Sequence, residues 1–358
     1  MSSSPQVNVR DFEKAARQIV DPVYLDYFHG GAGDEITLRA NEKGFENLKL
    51  LPRVLRGSAK RELDVTLLGS QAAMPVLLSP TAFHRLVHDE GERATARAAA
   101  QVGAIMIVSM AATVAVEDIV AAAREAVPDG PDLWFQLYLQ PDLEITEALV
   151  ARAAAAGATA IVVTVDSAVL GNSDRNNRND FHDLPPGLAC ENLRGLRGDE
   201  PGQVRQIQMS AEISWTHIDW LRGITSLPIV LKGVLHPEDA RIAIAHGVDG
   251  LLLSNHGGRQ LDTVPATIDL LPEFAATVGS RIPIMLDGGV RRGTDIVKAL
   301  ALGASAVGVG RPIIWGLAAG GESGVRRVLE MLRDELDQTL ALCGATSVRD
   351  LTADLVRR

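Results

Sequence analysis

Short apolar runs alternate with longer alanine-rich segments along the chain after residue 70. Each run is rich in β-branched and other apolar residues and stops at a polar residue or a glycine. The eight runs are MPVLLSP (74–80), AIMIVS (104–109), WFQLYL (134–139), AIVVTVD (160–166), PIVLKG (228–233), GLLLSNHG (250–257), PIMLDGG (283–289) and AVGVGRP (306–312). Apolar runs of this length without alternation are typical of strands buried on both faces, as in parallel sheets. The pattern therefore predicts eight buried strands.

The segments between these runs have a helical character. Examples are EGERATARAAAQVG, DLEITEALVARAAAAG, HPEDARIAIAHG and GTDIVKALALG, and each ends in glycine shortly before the next strand, as helices often do. Eight strand–helix units in succession predict an α/β protein with a (β/α)8 TIM barrel. A doubly wound sheet is a weaker alternative. It usually has fewer strands and a glycine-rich phosphate loop after the first strand, where this chain has SPTAF.

Two segments fall outside the repeat. Residues 1–70 precede the barrel and predict an N-terminal cap of helices, followed by a short hairpin, LDVTLLGSQAAMP, that closes one end. Residues 171–215 are polar and too long for an ordinary loop between a strand and a helix, which indicates a functional lid after the fourth strand. We therefore expect a single domain over residues 1–358, with the barrel at residues 71–350.

The composition is that of an ordinary globular protein, 46% hydrophobic and 22% charged. The formal net charge of -10 gives no reason to expect nucleic acid or an anionic membrane as a partner. Two cysteines, Cys190 and Cys343, cannot build a disulfide framework or a cysteine-rich metal site. The first residues lack the apolar core of a signal peptide, and no run approaches the roughly 18 apolar residues of a membrane helix. These features predict a cytoplasmic protein.

Polar groups stand at the end of every predicted strand, and in a barrel they face one pocket. Each has the plainer interpretation of a cap or turn residue, but joint accident is a poor explanation for all of them. The last two strand ends, LDGGVRRG and VGVGRP, combine glycines and backbone N–H groups with Arg291 and Arg311. That combination is typical of the phosphate site of such barrels. Lys232 and Gln136 lie elsewhere on the ring and suit a heterocycle that bears carbonyls and ring nitrogens.

The sixth run, LLLSNHGGRQLD, places an imidazole and a guanidinium three residues apart. A turn at Gly257 and Gly258 is the plainer interpretation of this stretch. However, a carboxylate at Asp166 that binds His256 would fix the imidazole tautomer and raise its basicity, as a proton-abstracting base needs. Arg259 can bind a carboxylate through two parallel hydrogen bonds. Hydroxyl donors for substrate oxygens are available at Tyr27 and Tyr138.

These residues, taken together, resemble those of a known protein family. The chain is similar to the FMN-dependent 2-hydroxy acid oxidases and dehydrogenases, which include glycolate oxidase, lactate oxidase and mandelate dehydrogenase. The similarity runs from about residue 8 to residue 350, and its most specific stretches are SNHGGRQLD, LDGGVRRGTD, FQLY, TVD and LPIVLKGV. As a set these stretches are very specific, whereas no single one of them is. The resemblance implies FMN as cofactor, a small 2-hydroxy acid as substrate and a homotetramer.

The resemblance also implies the roles of the catalytic residues. His256 would be the general base and Asp166 its partner. Lys232 would lie near N1 and O2 of the flavin and stabilise negative charge on the reduced ring. The substrate carboxylate and hydroxyl would be held by Tyr27, Arg259 and Tyr138.

The flavin contacts that the resemblance implies lie on all sides of the barrel mouth. The edge of the flavin ring would contact Ala82. Further ring contacts would come from Pro80, Thr81, Ser109, Gln136, Thr164 and Ser254. The ribityl chain and the phosphate would be held by Asp287, Gly289, Arg291, Gly310 and Arg311.

The chain departs from the family pattern in the lid segment. After TVD and LG the family usually carries an arginine pair, the second of which lies in the active site near the base. This chain reads LGNSDRNNRNDF, so the pair's positions hold Asn172 and Ser173. Arg175 or Arg178 is the candidate to replace the missing charge from a neighbouring position. Without that charge, stabilisation of the oxyanion should weaken and the pocket should be larger.

A second departure concerns the size of the substrate. In VSMAATVAVED, Ala111 stands where glycolate oxidase often has a large aromatic residue. Phe83 and His84 also stand at positions where the family usually has other residues. The small residues Ala111 and Ser173 predict a substrate larger than glycolate or lactate, such as a mandelate. A hydroxymandelate-type oxidase is therefore the preferred subfamily.

Residues 182–215 lack the apolar insertion of membrane-bound mandelate dehydrogenases, and no cytochrome segment precedes the barrel. Molecular oxygen is therefore the expected acceptor, giving a 2-oxo acid and hydrogen peroxide.

Several alternatives stay open from the sequence alone. One is a dehydrogenase of the same family with another electron acceptor or an atypical substrate. An FMN-dependent isomerase would share the phosphate site, and so would a flavin-binding protein without activity. A metal site is a further alternative, because His84 and His88 stand four residues apart beside Asp89 and Glu90, a spacing that would place both imidazoles on one helical face. No third ligand is evident, so we expect no metal.

Overall fold

The structure is a computed structural model and describes residues 6–196, 199–200 and 202–358. The helices are α1 (Val9–Ile19), α2 (Pro22–His29), α3 (Ile36–Asn47), α4 (Glu92–Val102), α5 (Val116–Ala126), α6 (Leu143–Ala156), α7 (Asp174–Arg178), α8 (Trp215–Ile224), α9 (Pro237–Ala245), α10 (Thr267–Val278), α11 (Gly293–Ala301) and α12 (Arg311–Cys343). The strands are β1 (Lys49–Leu50), β2 (Val65–Leu67), β3 (Ser70–Ala72), β4 (Val76–Leu78), β5 (Met106–Ser109), β6 (Leu133–Leu137), β7 (Ile161–Thr164), β8 (Ile229–Lys232), β9 (Gly250–Leu253), β10 (Ile284–Leu286), β11 (Ala306–Val309) and β12 (Val356–Arg357).

Strands β4 to β11 close into one parallel barrel, with β11 paired to β4. Every barrel strand lies within a predicted apolar run, apart from β6, which begins one residue earlier at Leu133. All the residues of these strands are buried, as expected for strands covered on both faces. The prediction of a (β/α)8 barrel is confirmed.

The interior of the barrel is packed with apolar side chains rather than open. One buried cluster runs through it and includes Leu77, Ile107, Trp134, Val162, Val230, Leu252 and Met285. The antiparallel hairpin of β2 and β3 adds Leu67 and Ala72 to this cluster and closes the amino end, as predicted. Burial of a side chain of this size contributes about 1.5–3 kcal/mol. Because the barrel is filled below, ligands have access only at the carboxyl ends of the strands.

The N-terminal cap is joined to the loop that follows β9. Asn41 in α3 and Asn255 exchange two amide hydrogen bonds, of 2.9 and 2.7 Å, and both side chains are buried. Gly258 also packs on α3, since a Cβ there would lie 2.7 Å from the Leu38 nitrogen. The cap therefore fixes the position of the SNHGG stretch in addition to covering the barrel.

His29, the last residue of α2, is buried in the cap. Its Nε2 accepts a hydrogen bond of 2.7 Å from Nε1–H of Trp315 in α12. Burial, followed by the nearby charges of Arg17 and Arg311, lowers the pKa of His29 from 6.5 to about 3. The folded protein therefore holds this imidazole neutral.

We expect His29 to make the fold sensitive to acid. The unfolded chain binds a proton near pH 6.5 that the folded chain cannot bind. The stabilisation is therefore complete above pH 6.5 and is lost as the pH falls below it. Between pH 7.5 and 5.5 this one group should lower the free energy of unfolding by about 1.4 kcal/mol. Urea unfolding at both pH values should show a smaller pH effect for His29→Gln, which keeps an acceptor for Trp315 but does not titrate; equal pH effects would contradict this account.

The lid segment, residues 171–215, connects β7 to α8 and contains the short helix α7. Its first residues are packed against the loop after β9, since a Cβ at Gly171 would lie 2.2 Å from the carbonyl oxygen of Arg259. Among the described residues, no helix is long and apolar enough to cross a membrane.

Candidate active site

The turn after β9 holds His256 in a left-handed backbone conformation. The φ angles are 58° at His256, 65° at Gly257 and 77° at Gly258. Glycine adopts such angles at little cost, whereas the conformational strain of a non-glycine residue held at such an angle is about 1–3 kcal/mol. The His256 N–H donates to Ser254 Oγ at 3.0 Å, and the Gly258 N–H donates to Asn255 O at 2.9 Å. The turn alone does not require a histidine here, and strain of this kind is concentrated at functional sites.

His256 and Asp166 form a hydrogen-bonded pair at the barrel mouth. The imidazole Nδ1 lies 3.0 Å from Oδ1 and 3.2 Å from Oδ2 of Asp166. The Ser167 hydroxyl also donates to Oδ1, at 3.1 Å. The carboxylate places the imidazole proton on Nδ1, so Nε2 keeps its lone pair, and Nε2 has no hydrogen-bond partner within the described ranges. This is the geometry of a proton acceptor.

The charges around this pair favour a neutral imidazole and an ionised carboxylate. Burial and then the positive charge of Lys232 lower the pKa of His256, and the Asp166 charge offsets only part of this. Burial opposes ionisation of Asp166, but the charges of His256 and Lys232, with hydrogen bonds from His256 and Ser167, hold the pKa of Asp166 at about 2. At neutral pH the pair therefore consists of a free base and a carboxylate.

Lys232 ends β8 as a buried cation, with 2% of the residue exposed. Its ammonium group donates no hydrogen bond and forms no ion pair with any described residue. Leaving a buried charge without a partner is costly, so a site of this kind is suited to a ligand that presents electron-rich acceptors.

Arg259 is oriented by the end of the cap. Its Nη1 donates to the carbonyl oxygens of Tyr27 and Gly30, the second at 3.3 Å. The guanidinium carbon lies 4.8 Å from the centroid of the Tyr27 ring. Burial raises the pKa of Tyr27, and Arg259 offsets part of this through its charge and a hydrogen bond. A guanidinium and a phenol held side by side can bind one carboxylate together.

Tyr138 follows β6 and faces the same groups. Burial, and then the negative charge of Asp166, raise the pKa of Tyr138. Its hydroxyl therefore stays protonated and makes no hydrogen bond to the part of the chain that the structure describes. It is available to donate to a substrate oxygen.

Two further buried atoms at the strand ends lack partners in the described chain, Asp287 Oδ1 and Arg291 Nε. The other oxygen of Asp287 accepts from Ser79 Oγ at 3.0 Å. The terminal nitrogens of Arg291 bind the Val290 carbonyl, at 2.9 Å, and Glu42, at 3.0 Å. Asp287 thus keeps an acceptor for a polyol hydroxyl, and Arg291 keeps a donor for a phosphate. These residues fit the ribityl phosphate of FMN.

Arg311 and Gly289 have structural contacts that sequence reasoning did not anticipate. All three nitrogens of the Arg311 guanidinium donate to carbonyl oxygens, at 2.8–2.9 Å, and these belong to Phe28, Gly30 and Gly257. A Cβ at Gly289 would lie 2.3 Å from the carbonyl oxygen of Asn41. The glycine is therefore required for packing against α3, and Arg311 joins the cap to the His256 turn. Gly310 adjoins Thr81, because a Cβ there would lie 3.3 Å from Thr81 Cγ2.

The other predicted flavin contacts are also at the barrel mouth. Gln136 joins three adjacent strand ends, because its Oε1 accepts from Ser109 Oγ at 3.1 Å and its Nε2 donates to Thr164 Oγ1 at 3.0 Å. The half-buried residues that follow β4 are Pro80, Thr81 and Ala82.

Neither lid arginine takes the position of the missing active-site charge. Ser173 caps α7, and its hydroxyl accepts from the Asn176 N–H at 3.4 Å. Arg175 instead binds Asp26 and Glu35. The Arg178 side chain is 73% exposed and pairs with Asp174. The suggestion that one of these arginines replaces the usual charge is therefore wrong for the arrangement in the structure.

A cluster of aromatic residues beside the site was largely missed from the sequence. Within it, the Tyr27 ring centroid lies 5.4 Å from that of Phe83 and 5.3 Å from that of Phe181. Together with Tyr24 and Phe28, the cluster holds two of the three tyrosines and three of the seven phenylalanines in the chain. Phe181 could have been noticed as the one phenylalanine of the polar lid segment. Its partners lie far away in sequence, so local pattern could not place it.

The structure contradicts the alternative that His84 and His88 share a helical face. His84 lies in a short 3-10 turn, and α4 begins only at Glu92. The imidazole of His84 is buried between the hydroxyls of Thr81, at 2.6 Å, and Thr95, at 3.0 Å. Within the described ranges no three His, Cys, Asp or Glu side chains form a group that could hold a metal ion.

Comparison with known proteins identifies relatives over almost the whole chain. A family model for FMN-dependent dehydrogenases matches residues 16–358. An L-lactate oxidase of Nostoc sp. is 43% identical over 98% of this chain and 97% of its own length. The 2-hydroxyacid oxidase 1 of Homo sapiens is 44% identical over 98% of this chain and 96% of its own length.

Solved structures give the same result for the fold. A mandelate oxidase solved with (S)-2-phenylpropionate superposes with a TM-score of 0.89 at 38% identity, covering 99% of this chain and 98% of the other. A mutant of an active chimera of (S)-mandelate dehydrogenase superposes with a TM-score of 0.91 at 37% identity, covering 99% of both chains.

Proposed function

This chain belongs to the FMN-dependent dehydrogenase family, and we propose that it oxidises a 2-hydroxy acid larger than glycolate or lactate, of the mandelate type, to the 2-oxo acid. In this proposal molecular oxygen accepts the electrons and is reduced to hydrogen peroxide. The observation that carries the proposal is the pair of a neutral His256 and an ionised Asp166, close to a buried cation, Lys232, and an oriented guanidinium, Arg259.

FMN, when bound, supplies an acceptor for the two electrons that leave the substrate. The chain provides its binding groups around the mouth of the barrel. Arg291 would bind the phosphate and Asp287 a ribityl hydroxyl through the atoms that lack partners. The Lys232 ammonium would stabilise negative charge near N1 and O2 of the ring, which gives this buried cation a partner.

The substrate would be held by its carboxylate and its hydroxyl. Arg259 and Tyr27 would bind the carboxylate, and the protonated hydroxyl of Tyr138 would donate to the substrate hydroxyl. Nε2 of His256 would then take a proton from the CH–OH group of the substrate. Asp166 would stabilise the imidazolium that forms. Net oxidation removes two electrons and two protons, which come from the hydroxyl O–H and the α-carbon C–H, and leaves a 2-oxo acid; reduction of molecular oxygen to hydrogen peroxide takes up both electrons and both protons.

The small side chain of Ala111 supports an aromatic substrate side chain. Ala111 offers only a methyl group where the related glycolate oxidases often have a large aromatic residue. Its carbonyl accepts from the Phe83 N–H at 3.3 Å, so Ala111 lies beside the aromatic cluster. An aryl group bound there would meet Phe83 and Tyr27, and aromatic pairs of this kind contribute about 0.5–1.5 kcal/mol beyond their burial.

We expect Ala111→Trp to reverse the substrate preference. The indole would fill the space proposed for the aryl group, so kcat/KM for mandelate should fall about 100-fold or more, whereas kcat/KM for lactate should change much less. Steady-state rates of wild type and variant on glycolate, lactate and mandelate measure this. A wild type that turns over glycolate faster than mandelate would contradict the assignment of substrate size.

A small 2-hydroxy acid is the second candidate substrate. It is favoured by the relatives that are 43–44% identical over almost the whole chain and are named for lactate or glycolate. Both candidate substrates would use the same base and the same carboxylate site, and they differ in the size of the side chain. The rates on glycolate, lactate and mandelate therefore separate them.

The proposal that molecular oxygen is the electron acceptor is also supported by the names of relatives. Relatives and structural neighbours carry the names of oxidases, including the mandelate oxidase described above. The expectations of a single domain, a homotetramer and a cytoplasmic location stay predictions.

A further inference from the structure

Arg175, in the lid helix α7, makes three charge-assisted hydrogen bonds to the N-terminal cap. Its Nε and Nη2 bind the two oxygens of Glu35 in parallel, at 2.7 and 2.8 Å. Its Nη1 binds Asp26 Oδ1 at 3.1 Å. The three side chains are half-buried, and a parallel pair of bonds to a carboxylate fixes the orientation of a guanidinium as well as its position.

Neighbouring contacts support this attachment. Asn179 Nδ2 donates to the second oxygen of Asp26 at 3.0 Å. Glu35 has a left-handed backbone, with φ of 58°, and its Oε1 also accepts from the Gly31 N–H at 3.1 Å. Glu35 is thus bound on one side to the lid and on the other to the loop between α2 and α3.

The segment that Arg175 holds is the one that orients Arg259. The carbonyl oxygens of Tyr27 and Gly30 accept hydrogen bonds from Nη1 of Arg259. The side chain of Arg175 passes directly over Gly30, since a Cβ at Gly30 would lie 3.2 Å from Arg175 Cδ. A continuous set of contacts therefore runs from Arg175 through Gly30 to the proposed carboxylate site.

We propose that Arg175 is a positioning residue for substrate binding: it fixes the cap loop of residues 26–35 and through it the orientation of Arg259 and Tyr27. The inference rests on the proposed function of Arg259 as the carboxylate site. Arg175 does not touch the substrate. It acts on the affinity for the acid and not on the chemical step.

The test compares Arg175→Ala with Arg178→Ala in the FMN-loaded enzyme. Arg178 lies on the same helix and, among the residues that the structure describes, pairs with Asp174 alone, so it is a matched control for loss of charge. For Arg175→Ala we expect KM for the 2-hydroxy acid to rise about tenfold or more, with kcat within about twofold of wild type. Arg178→Ala should leave both constants unchanged. Arg175→Lys should recover only part of the loss, because an ammonium cannot make the parallel pair of bonds.

Two further readouts do not depend on turnover. Binding of a 2-oxo acid, measured by the change in flavin absorbance, should weaken by the same factor as KM rises. Amide hydrogen exchange should be faster in residues 26–35 for Arg175→Ala and unchanged for Arg178→Ala. Faster exchange with unchanged KM and unchanged binding would overturn the proposal, since the contact would then be structural only. A loss confined to kcat would also overturn it.

Failure of the proposed function gives a different result. Wild type would then neither bind nor oxidise any 2-hydroxy acid. If wild type does so and Arg175→Ala behaves like it, only the role of Arg175 is wrong.

Discussion

Replacement of His256 by alanine is expected to slow anaerobic reduction of the flavin by about 10²- to 10⁴-fold, while FMN stays bound. The imidazole is the group whose free nitrogen faces the pocket, and Asp166 orients it at 3.0 Å. Without it no described residue at the site can take over as base, because the nearest carboxylate, that of Asp166, is held ionised with a pKa of about 2 and is a weak base. Stopped-flow absorbance with a 2-hydroxy acid measures the rate.

His246→Ala provides the matched control. His246 also has a carboxylate partner, with Nδ1 at 2.7 Å from Asp219 Oδ1, but it lies at the end of α9, away from the barrel mouth. This variant should reduce its flavin at the wild-type rate. A His256→Ala protein that is purified without flavin would mean that the residue is structural, and one that is reduced at the wild-type rate would remove it from the mechanism.

Replacement of Arg259 by lysine is expected to raise KM for the 2-hydroxy acid by about 10- to 100-fold. Arg259 has to bind the Tyr27 and Gly30 carbonyls through one nitrogen and a carboxylate through the rest of its fork. An ammonium can be placed at one of these positions but not at both. Binding of FMN should be unaffected, because no predicted flavin contact involves this residue.

Arg152→Lys tests whether the effect is specific to the site. Arg152 also makes two bonds to one carboxylate, that of Glu117, at 2.7 and 3.1 Å, but both residues lie on helices outside the barrel. Steady-state kinetics should show no change for this variant. Equal KM values for wild type and Arg259→Lys would contradict the assignment of the carboxylate site.

The fold was predictable because periodicity is local. Each apolar run carries its own evidence for a buried strand, and the glycines after α4 and α6 mark where those helices end. The pairing of β1 with β12 had no such signal, because it joins residues 49–50 to residues 356–357 and each strand has only two residues.

The active site was predictable for a related reason. Residues at the ends of parallel strands meet whatever their separation in sequence, so Asp166, Lys232 and His256 could be placed together from the barrel alone. No comparable rule predicts where the side chains of the lid segment lie. Either Arg175 or Arg178 was the candidate for a position near the base, but Arg175 binds Glu35 and Asp26, whose carboxylates lie in the cap. Charge complementarity between distant segments decides that outcome, and it is not visible in local sequence.

Anaerobic reduction of the bound flavin by glycolate, lactate and mandelate, followed by admission of oxygen, shows whether this chain is a 2-hydroxy acid oxidase. We expect a 2-hydroxy acid to bleach the flavin absorbance, mandelate to do so fastest, and oxygen to restore the absorbance with formation of one hydrogen peroxide per flavin. Flavin that dithionite reduces but that none of these acids bleaches would contradict the claim, and would favour an isomerase or a flavin-binding protein on the same barrel.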